Sequence, residues 1–301
     1  MLRPAPSFGS RRGEGGTSAH RATSGVVATL RALDVRPSRR LGQNFLTDPR
    51  VAERIASVAL ESAGAGGPLL EIGPGLGALT ERLAASGRPL TAVELDLRLA
   101  EHLESLLAPW PNARVARGDI LDQSLDALLP GEAPVTIVAN LPYAITSPAI
   151  AWIVEQGPRV ARAVLMTQRE VAQRLAAKPG TKEYGSFSVF VALHADLEVR
   201  FRVSPGAFHP RPDVDSVVFT LTPRPYPGTT AEERAAVERL VRAATGGRRK
   251  TLANALAQGL SIEADGARAL LARAGIDPGR RAETLSVGDW LSVARAEGTG
   301  R

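Results

Sequence analysis

Asn140-Leu141-Pro142-Tyr143 combines residue types that can do chemistry on a nucleobase. The Asn side-chain carbonyl and the neighbouring backbone carbonyls can accept hydrogen bonds from a flat, neutral amino group. The Tyr ring can stack on the heterocycle that carries that group. Such an arrangement suits reactions at an exocyclic nitrogen. By itself the motif is also what a strand looks like when it ends in an X-Pro turn, since Pro restricts the residue before it. The apolar run Val135-Thr136-Ile137-Val138-Ala139 just upstream supplies that strand.

Three further features fall at strand ends. Glu71-Ile72-Gly73-Pro74-Gly75-Leu76-Gly77 closes an apolar run, and glycines there allow a tight turn and close approach to a ligand. The spacing is G-x-G-x-G, not the G-x-G-x-x-G of dinucleotide enzymes. With Asn140–Tyr143, that spacing disfavours a nicotinamide oxidoreductase. Glu94 lies about 20 residues on, at the end of the next strand, where a carboxylate can accept both hydroxyls of a ribose. Asp119, in Gly118-Asp119, can accept from an adenine amino group. Singly these read equally as a tight turn, a solvated strand end and a helix cap. Together, at successive strand ends, they build one pocket for a nucleoside with free ribose hydroxyls. S-adenosylmethionine fits it.

The elements that must position these groups are short apolar strands alternating with amphipathic helices. Strands are expected near 69–72, 90–94, 114–117, 135–140 and 163–167. Helices are expected near 78–85, 97–107, 147–156 and 170–177. Asp48 is placed to cap a helix with Pro49 at its first position, running to about residue 63 with Val51, Ile55 and Val58 inward. This alternation argues for an α/β fold with a parallel sheet covered on both faces. Runs at 197–203 and 214–222 read as a closing antiparallel pair. A proline-rich linker, 222–228, leads to helices near 231–244, 251–258, 266–274 and 287–295. The expected organisation is a disordered basic extension over 1–36, with a possible short helix at 26–33, a Rossmann-like domain over 37–223, and a small all-helical domain over 228–301.

Composition narrows the setting. The chain has 301 residues, no cysteine, and 44% hydrophobic residues. The lack of cysteine excludes disulfides, thiolate metal sites and Cys nucleophiles, and suits a reducing compartment. The four histidines, His20, His102, His194 and His209, lie far apart and suggest no metal site. No apolar run approaches the roughly 20 residues that span a membrane. A formal charge of +6 and a pI near 10.4 favour a polyanionic partner. The same excess is also what an Ala- and Arg-rich chain from a GC-rich genome shows. The Arg-rich N-terminal stretch has no secretory h-region; it reads as a dispensable extension, with a transit peptide as the alternative.

The motifs together resemble the KsgA (RsmA) family of ribosomal RNA adenine dimethyltransferases. The resemblance rests on residues 41–46, 71–80, 93–96, 118–121, 140–143, 168–171, 184–189, 208–216, 248–252 and 275–277, in order, and covers about 36–295. It implies a class I S-adenosylmethionine-dependent methyltransferase fold with Asn44, Leu46, Gly73, Glu94, Asp119 and Asn140 lining the cofactor site. It implies methyl transfer to N6 of two adjacent adenines in the 3′-terminal hairpin of 16S rRNA, within the 30S subunit or its precursor. Asn140 with Leu141 or Pro142 would accept the N6 hydrogens, and Tyr143 and Phe208 would stack on the flipped base; Phe208 reads otherwise as a core aromatic. Arg39-Arg40, Arg211, Arg224 and Arg248-Arg249-Lys250 are candidates for phosphate contacts. A cytoplasmic monomer taking part in ribosome biogenesis is expected. Ala144 and Ser186-Phe187 depart from the family pattern, which bears on RNA contacts. The competing readings are an Erm-type enzyme acting on 23S rRNA and a non-catalytic RNA-binding factor that keeps the fold.

Overall fold

A computed structural model describes residues 15–38, 43–61, 66–142, 145–246 and 250–298. The elements in chain order are α1 (Gly15–Ala32), β1 (Phe45–Leu46), α2 (Pro49–Leu60), β2 (Leu69–Ile72), α3 (Thr80–Ala84), β3 (Leu90–Glu94), α4 (Leu97–Leu107) and β4 (Ala113–Arg117). They continue with α5 (Leu125–Leu128), β5 (Val135–Asn140), α6 (Thr146–Glu155), β6 (Val160–Gln168), α7 (Arg169–Leu175), α8 (Ser186–His194), β7 (Ala195–Val203), β8 (Phe208–His209) and β9 (Ser216–Pro223). The helices α9 (Ala231–Thr245), α10 (Leu252–Leu260), α11 (Ala264–Arg273) and α12 (Val287–Gly298) complete them.

Seven strands form one sheet in the order β4-β3-β2-β5-β6-β9-β7. β2 to β6 pair in parallel, and β9 and β7 close the sheet antiparallel. β2, β3 and the first five residues of β5 are buried throughout, as strands covered on both faces must be. Neighbouring residues serve opposite faces: Leu69 joins the core under α2 and α3, while Leu70 joins the core under α6. The chain order reverses between β2 and β5. The crevice of an open α/β sheet forms at the carboxyl ends of such a pair, where Gly73 and Asn140 stand.

Local chemistry fixes the helix starts. Asp48 Oδ1 accepts from Arg50 N with Pro49 following, and Asp96 Oδ1 accepts from Arg98 N and Leu99 N. Thr230 and Glu233 form a reciprocal capping box on α9.

Two expectations need correction, and a third gains detail. The disorder expected over 1–36 fails over 15–36. α1 occupies most of that span, and Leu30 and Val35 are buried because they pack on Phe45 and Leu99. Residues 1–14 lie outside the described residues. The helix α8 is not among the expected elements; its nearly unbroken apolar run has no amphipathic period, since it is covered from both sides. Finally, the proline-rich linker is tied down: Arg224 N donates to His194 O at 2.7 Å and Tyr226 N to Leu193 O at 2.8 Å. Tyr184, Val189 and Leu193 belong to the same apolar cluster as α9–α12, and Tyr184 Oη donates to Leu285 O at 2.8 Å. The helical body therefore shares its core with α8.

Candidate active site

One cavity opens at the carboxyl ends of β2, β3 and β5. Its wall includes Asn44, Leu46, Gly73, Glu94, Asn140, Leu141, Pro142 and Phe208, eight of the residues singled out from sequence. Sheet register explains the convergence. Ile72 pairs with Val93 on one side and Ala139 on the other, so Gly73, Glu94 and Asn140 leave their strands at one level. The two-residue strands β1 and β8 pair antiparallel, with Leu46 opposite Phe208, and bring both to the same wall.

Gly73 and Gly75 have φ of 65° and 60°, a region that L side chains rarely adopt. A Cβ at Gly75 would lie 3.2 Å from the Phe45 ring, so that ring rests directly on the turn. Glu94 braces the turn from the next strand. Its Oε2 accepts from Gly75 N and its Oε1 from Asp96 N, each at 3.0 Å. Burial raises the Glu94 pKa above the ordinary carboxylate range, against the pull of those amide donors.

Asn140 is oriented. Its Nδ2 donates to the Asn44 carbonyl at 3.1 Å, which leaves Oδ1 as the acceptor end of the amide. The two candidate carbonyls beside it are not equivalent. The Pro142 carbonyl already accepts from Ile145 N at 3.2 Å and from Thr146 Oγ1 at 3.0 Å. Leu141 N is held by the Met166 carbonyl at 3.0 Å, which fixes the Leu141 peptide against β6. Of the two carbonyls, that of Pro142 is the one already engaged by the turn.

Asp119 falls outside this wall. It caps the 3₁₀ turn after β4, accepting from Leu121 N at 2.9 Å, with Gly118 N bound to the Glu94 carbonyl at 2.9 Å. Phe208 is only 5% exposed and packs in the core cluster beneath β1 while also reaching the cavity. Tyr143 and Ala144 lie outside the described residues. So do Arg39, Arg40, Arg248 and Arg249. Of the remaining phosphate candidates, Arg211 is exposed, Arg224 is paired with Asp196 at 2.9 Å, and Lys250 bonds Gln258.

The sequence alone assigns no role to Glu71. It is fully buried, lines the cavity, and its Oε2 has no hydrogen-bond partner among the described residues. Burial pushes its pKa up to about 8, with the nearby Glu94 charge adding to the rise. The Thr80 hydroxyl is close enough to offset part of this, although neither Thr80 Oγ1 nor Glu71 Oε2 has a partner at hydrogen-bonding geometry. The signal for it is a charged residue inside the apolar run Leu69-Leu70-Glu71-Ile72. Two buried carboxyls facing one cavity favour a cationic ligand, because a nearby positive charge stabilises the ionised form of each. A glycine cradle, an acid beside it and an orphaned carboxyl oxygen thus fit a sulfonium nucleoside carrying an ammonium group.

The comparisons decide the family. The model described as "Ribosomal RNA adenine dimethylase" matches residues 36–296. The chain belongs to the ribosomal RNA adenine dimethylase family. It is 46% identical over 269 residues to the ribosomal RNA small subunit methyltransferase A of Geobacter sulfurreducens, covering 88% of this chain and 97% of that protein. It is 41% identical over 283 residues to the protein of the same name from Moorella thermoacetica, covering 91% and 97%. Among solved structures, the 23S rRNA methyltransferase ErmE aligns with a TM-score of 0.63 at 29% identity, over 84% of this chain and 99% of that one. A dimethyladenosine transferase from Plasmodium falciparum aligns with a TM-score of 0.68 at 23% identity, over 83% and 95%, a likeness of fold. As a member of this family the chain is a ribosomal RNA adenine dimethyltransferase, built on a class I methyltransferase fold with a helical C-terminal region. No helix among the described residues is long and apolar enough to cross a membrane.

Proposed function

We propose that this protein transfers methyl groups from S-adenosylmethionine to N6 of two adjacent adenines in the 3′-terminal hairpin of 16S rRNA. Its substrate would be the 30S subunit or its precursor, and it would act as a cytoplasmic monomer. The observation that carries this reading is the pair of acceptors at the end of β5, Asn140 Oδ1 and the Leu141 carbonyl, set beside the Gly73 turn. When bound, S-adenosylmethionine supplies an electrophilic methyl on a sulfonium.

The chain's own residues do the rest by positioning. Gly73 lets the backbone approach the donor, Glu94 accepts the ribose hydroxyls, and Asn44 and Leu46 form the wall. Asp119 is assigned the adenine amino group of the donor by its place in the motif.

Adenine N6 is a weak nucleophile because its lone pair is delocalised into the ring. Asn140 Oδ1 and the Leu141 carbonyl accept its two hydrogens, favour a more tetrahedral nitrogen and hold the lone pair towards the methyl. Positioning of this kind is worth up to about 7–11 kcal/mol. No base is required of the chain, since N6 turns acidic only once methylated. The adenine must leave its stack to reach the cavity. Phe208 is assigned to one face of the flipped base, and Tyr143 to the other, by their places in the motifs. Stacking contributes about 1–3 kcal/mol per base. Arg211 with the clusters at 39–40 and 248–250 would meet phosphates, so binding should weaken steeply with salt.

The test is mass spectrometry of the 3′-terminal 16S hairpin from 30S particles incubated with the protein and S-adenosylmethionine. Two adjacent dimethyladenosines are expected. Methylation of protein-free 23S rRNA without methylation of 30S particles would favour the Erm-type reading instead.

A further inference from the structure

Three walls of the cofactor cavity, Phe45, Leu76 and Leu99, also belong to a small apolar cluster on its outer side. The rest of that cluster comes from the N-terminal segment: Leu30 and Val35 are buried, and Val26 and Leu33 pack partly against them. Leu30 and Val35 are 4% and 8% exposed, burial that a dispensable extension would not have.

The segment is built to dock. α1 ends in a turn where Asp34 takes φ 49°, and Val35 N returns to the Leu30 carbonyl at 2.9 Å. That left-handed residue redirects the chain so that Leu30 and Val35 reach the same cluster. Arg98, in the first turn of α4, donates to the Asp34 carbonyl and pairs with the Asp34 carboxylate at 3.2 Å. Ser38 N donates to Gln43 Oε1 at 2.9 Å and Gln43 N to the Ser38 carbonyl at 3.1 Å, and Gln43 is itself part of the cavity wall.

The far side of the cluster is the glycine turn. The Phe45 ring stands 3.2 Å from the Cβ position of Gly75, and Leu76 is the next residue. Whatever fixes Phe45 therefore fixes how closely the cavity closes over that turn. Among the described residues β1 is two residues long and pairs with the equally short β8, continued by Thr47 N and Oγ1 donating to the Ala207 carbonyl at 2.7 and 3.1 Å, a short hold for a wall residue.

We infer that residues 23–38 are a working part of the cofactor site: their docking positions Phe45 and Leu76 over the glycine turn, and donor affinity depends on it. This rests on the S-adenosylmethionine reading above. Leu30, Val35 and Arg98 are positioning residues and touch no reacting atom. Coupling is reciprocal, so the donor must in turn stabilise the docked segment.

The experiment is calorimetric titration of the full chain with S-adenosylmethionine and with S-adenosylhomocysteine, wild type against Leu30→Ala and Arg98→Ala. Leu30→Ala should raise Kd and the KM for S-adenosylmethionine about tenfold, within the ~5- to 150-fold range of coupled sites. kcat at saturating donor should stay within about twofold, and Leu30→Met should restore affinity. Arg98→Ala, on an exposed pair and therefore harmless to folding, should raise Kd by about twofold or more. In wild type, saturating donor should slow amide exchange over 26–35. Unchanged Kd in both variants, or exchange over 26–35 that ignores the donor, would overturn the inference. So would a loss of kcat with KM unaltered. Wild-type protein that bound neither ligand would overturn the donor reading and this inference with it; normal wild-type binding with unaffected variants would overturn this inference alone.

Discussion

At Gly73 the backbone sits at φ 65°, and the space where a Cβ would project is open. At Gly259, on α10, the φ is ordinary, but a Cβ would lie 2.2 Å from the Ala243 carbonyl oxygen on α9. The first glycine is required by backbone conformation and leaves room for a ligand. The second is required by packing and leaves room for nothing. The regions around them differ in the same sense. The sheet edge carries two buried carboxyls raised in pKa, one with an orphaned oxygen. In the helical body, capping groups and ion pairs such as Arg280–Asp289 at 3.2 Å, with the Ser286 N bond to Asp289 at 2.9 Å, serve the chain itself. The orphaned buried groups of the helical body are nitrogens, Trp290 Nε1 and Arg234 Nε; among the described residues the orphaned carboxyl oxygen is that of Glu71, in the cavity.

The sharpest way to break that contrast is at Asn140. Asn140→Ala should lower single-turnover methyl transfer by about 100- to 1,000-fold, the usual loss when one preorganised hydrogen-bonding group is removed. Donor binding should persist at reduced strength and the unfolding midpoint should barely move. Near-normal turnover would remove the role given to its Oδ1. In the helical body the effect should be reversed in kind. Gly259→Ala must push α10 off α9 and should cost about 2–3 kcal/mol in urea unfolding, with affinity for S-adenosylmethionine retained in the folded fraction. Glu94→Ala tests the middle ground, a group that both braces the Gly75 turn and faces the ribose. It should raise the Kd for S-adenosylmethionine by about 10- to 30-fold, the scale of one hydrogen-bonded charge. Unchanged calorimetric affinity would withdraw the ribose assignment.

Much of the sheet edge is legible in the amino-acid sequence itself. Strand ends at Ile72, Glu94 and Asn140 follow from short apolar runs stopped by glycine, acid or proline, and all three ends stand where expected. The helices α9–α12 are legible for the same reason, with a polar face on each. What the sequence does not disclose is contact between distant segments. Nothing local in Leu30 or Val35 announces that they pack on Phe45 and Leu99, because such clusters are defined only after the chain has returned on itself. The α8 run cannot be told from a buried strand by periodicity, since it is apolar on all sides. Asn44 and Leu46 are placed in the site by family likeness alone. The choice between the Leu141 and Pro142 carbonyls depends on Thr146 and Ile145, whose bonds only the folded turn reveals.

Glu71 gives the finest test of the contrast, because its cost to the fold varies with pH. Its pKa is raised by burial from an ordinary 4.5 to about 8 in the folded protein. Between those values the folded state holds a proton that the unfolded chain has lost. The stabilising contribution is thus complete below about pH 4.5 and disappears as the pH climbs through about 8, with a limiting slope of about −1.4 kcal/mol per pH unit. Glu71→Gln keeps the shape and removes the titration. In urea unfolding without donor, wild type should lose about 1 kcal/mol relative to Glu71→Gln between pH 6.5 and 7.5. Saturating S-adenosylmethionine should flatten that difference, because a bound cation draws the Glu71 pKa back down. Parallel stability curves for the two proteins without donor would mean that Glu71 is ionised in the fold, and that its Oε2 has a partner the fold itself supplies.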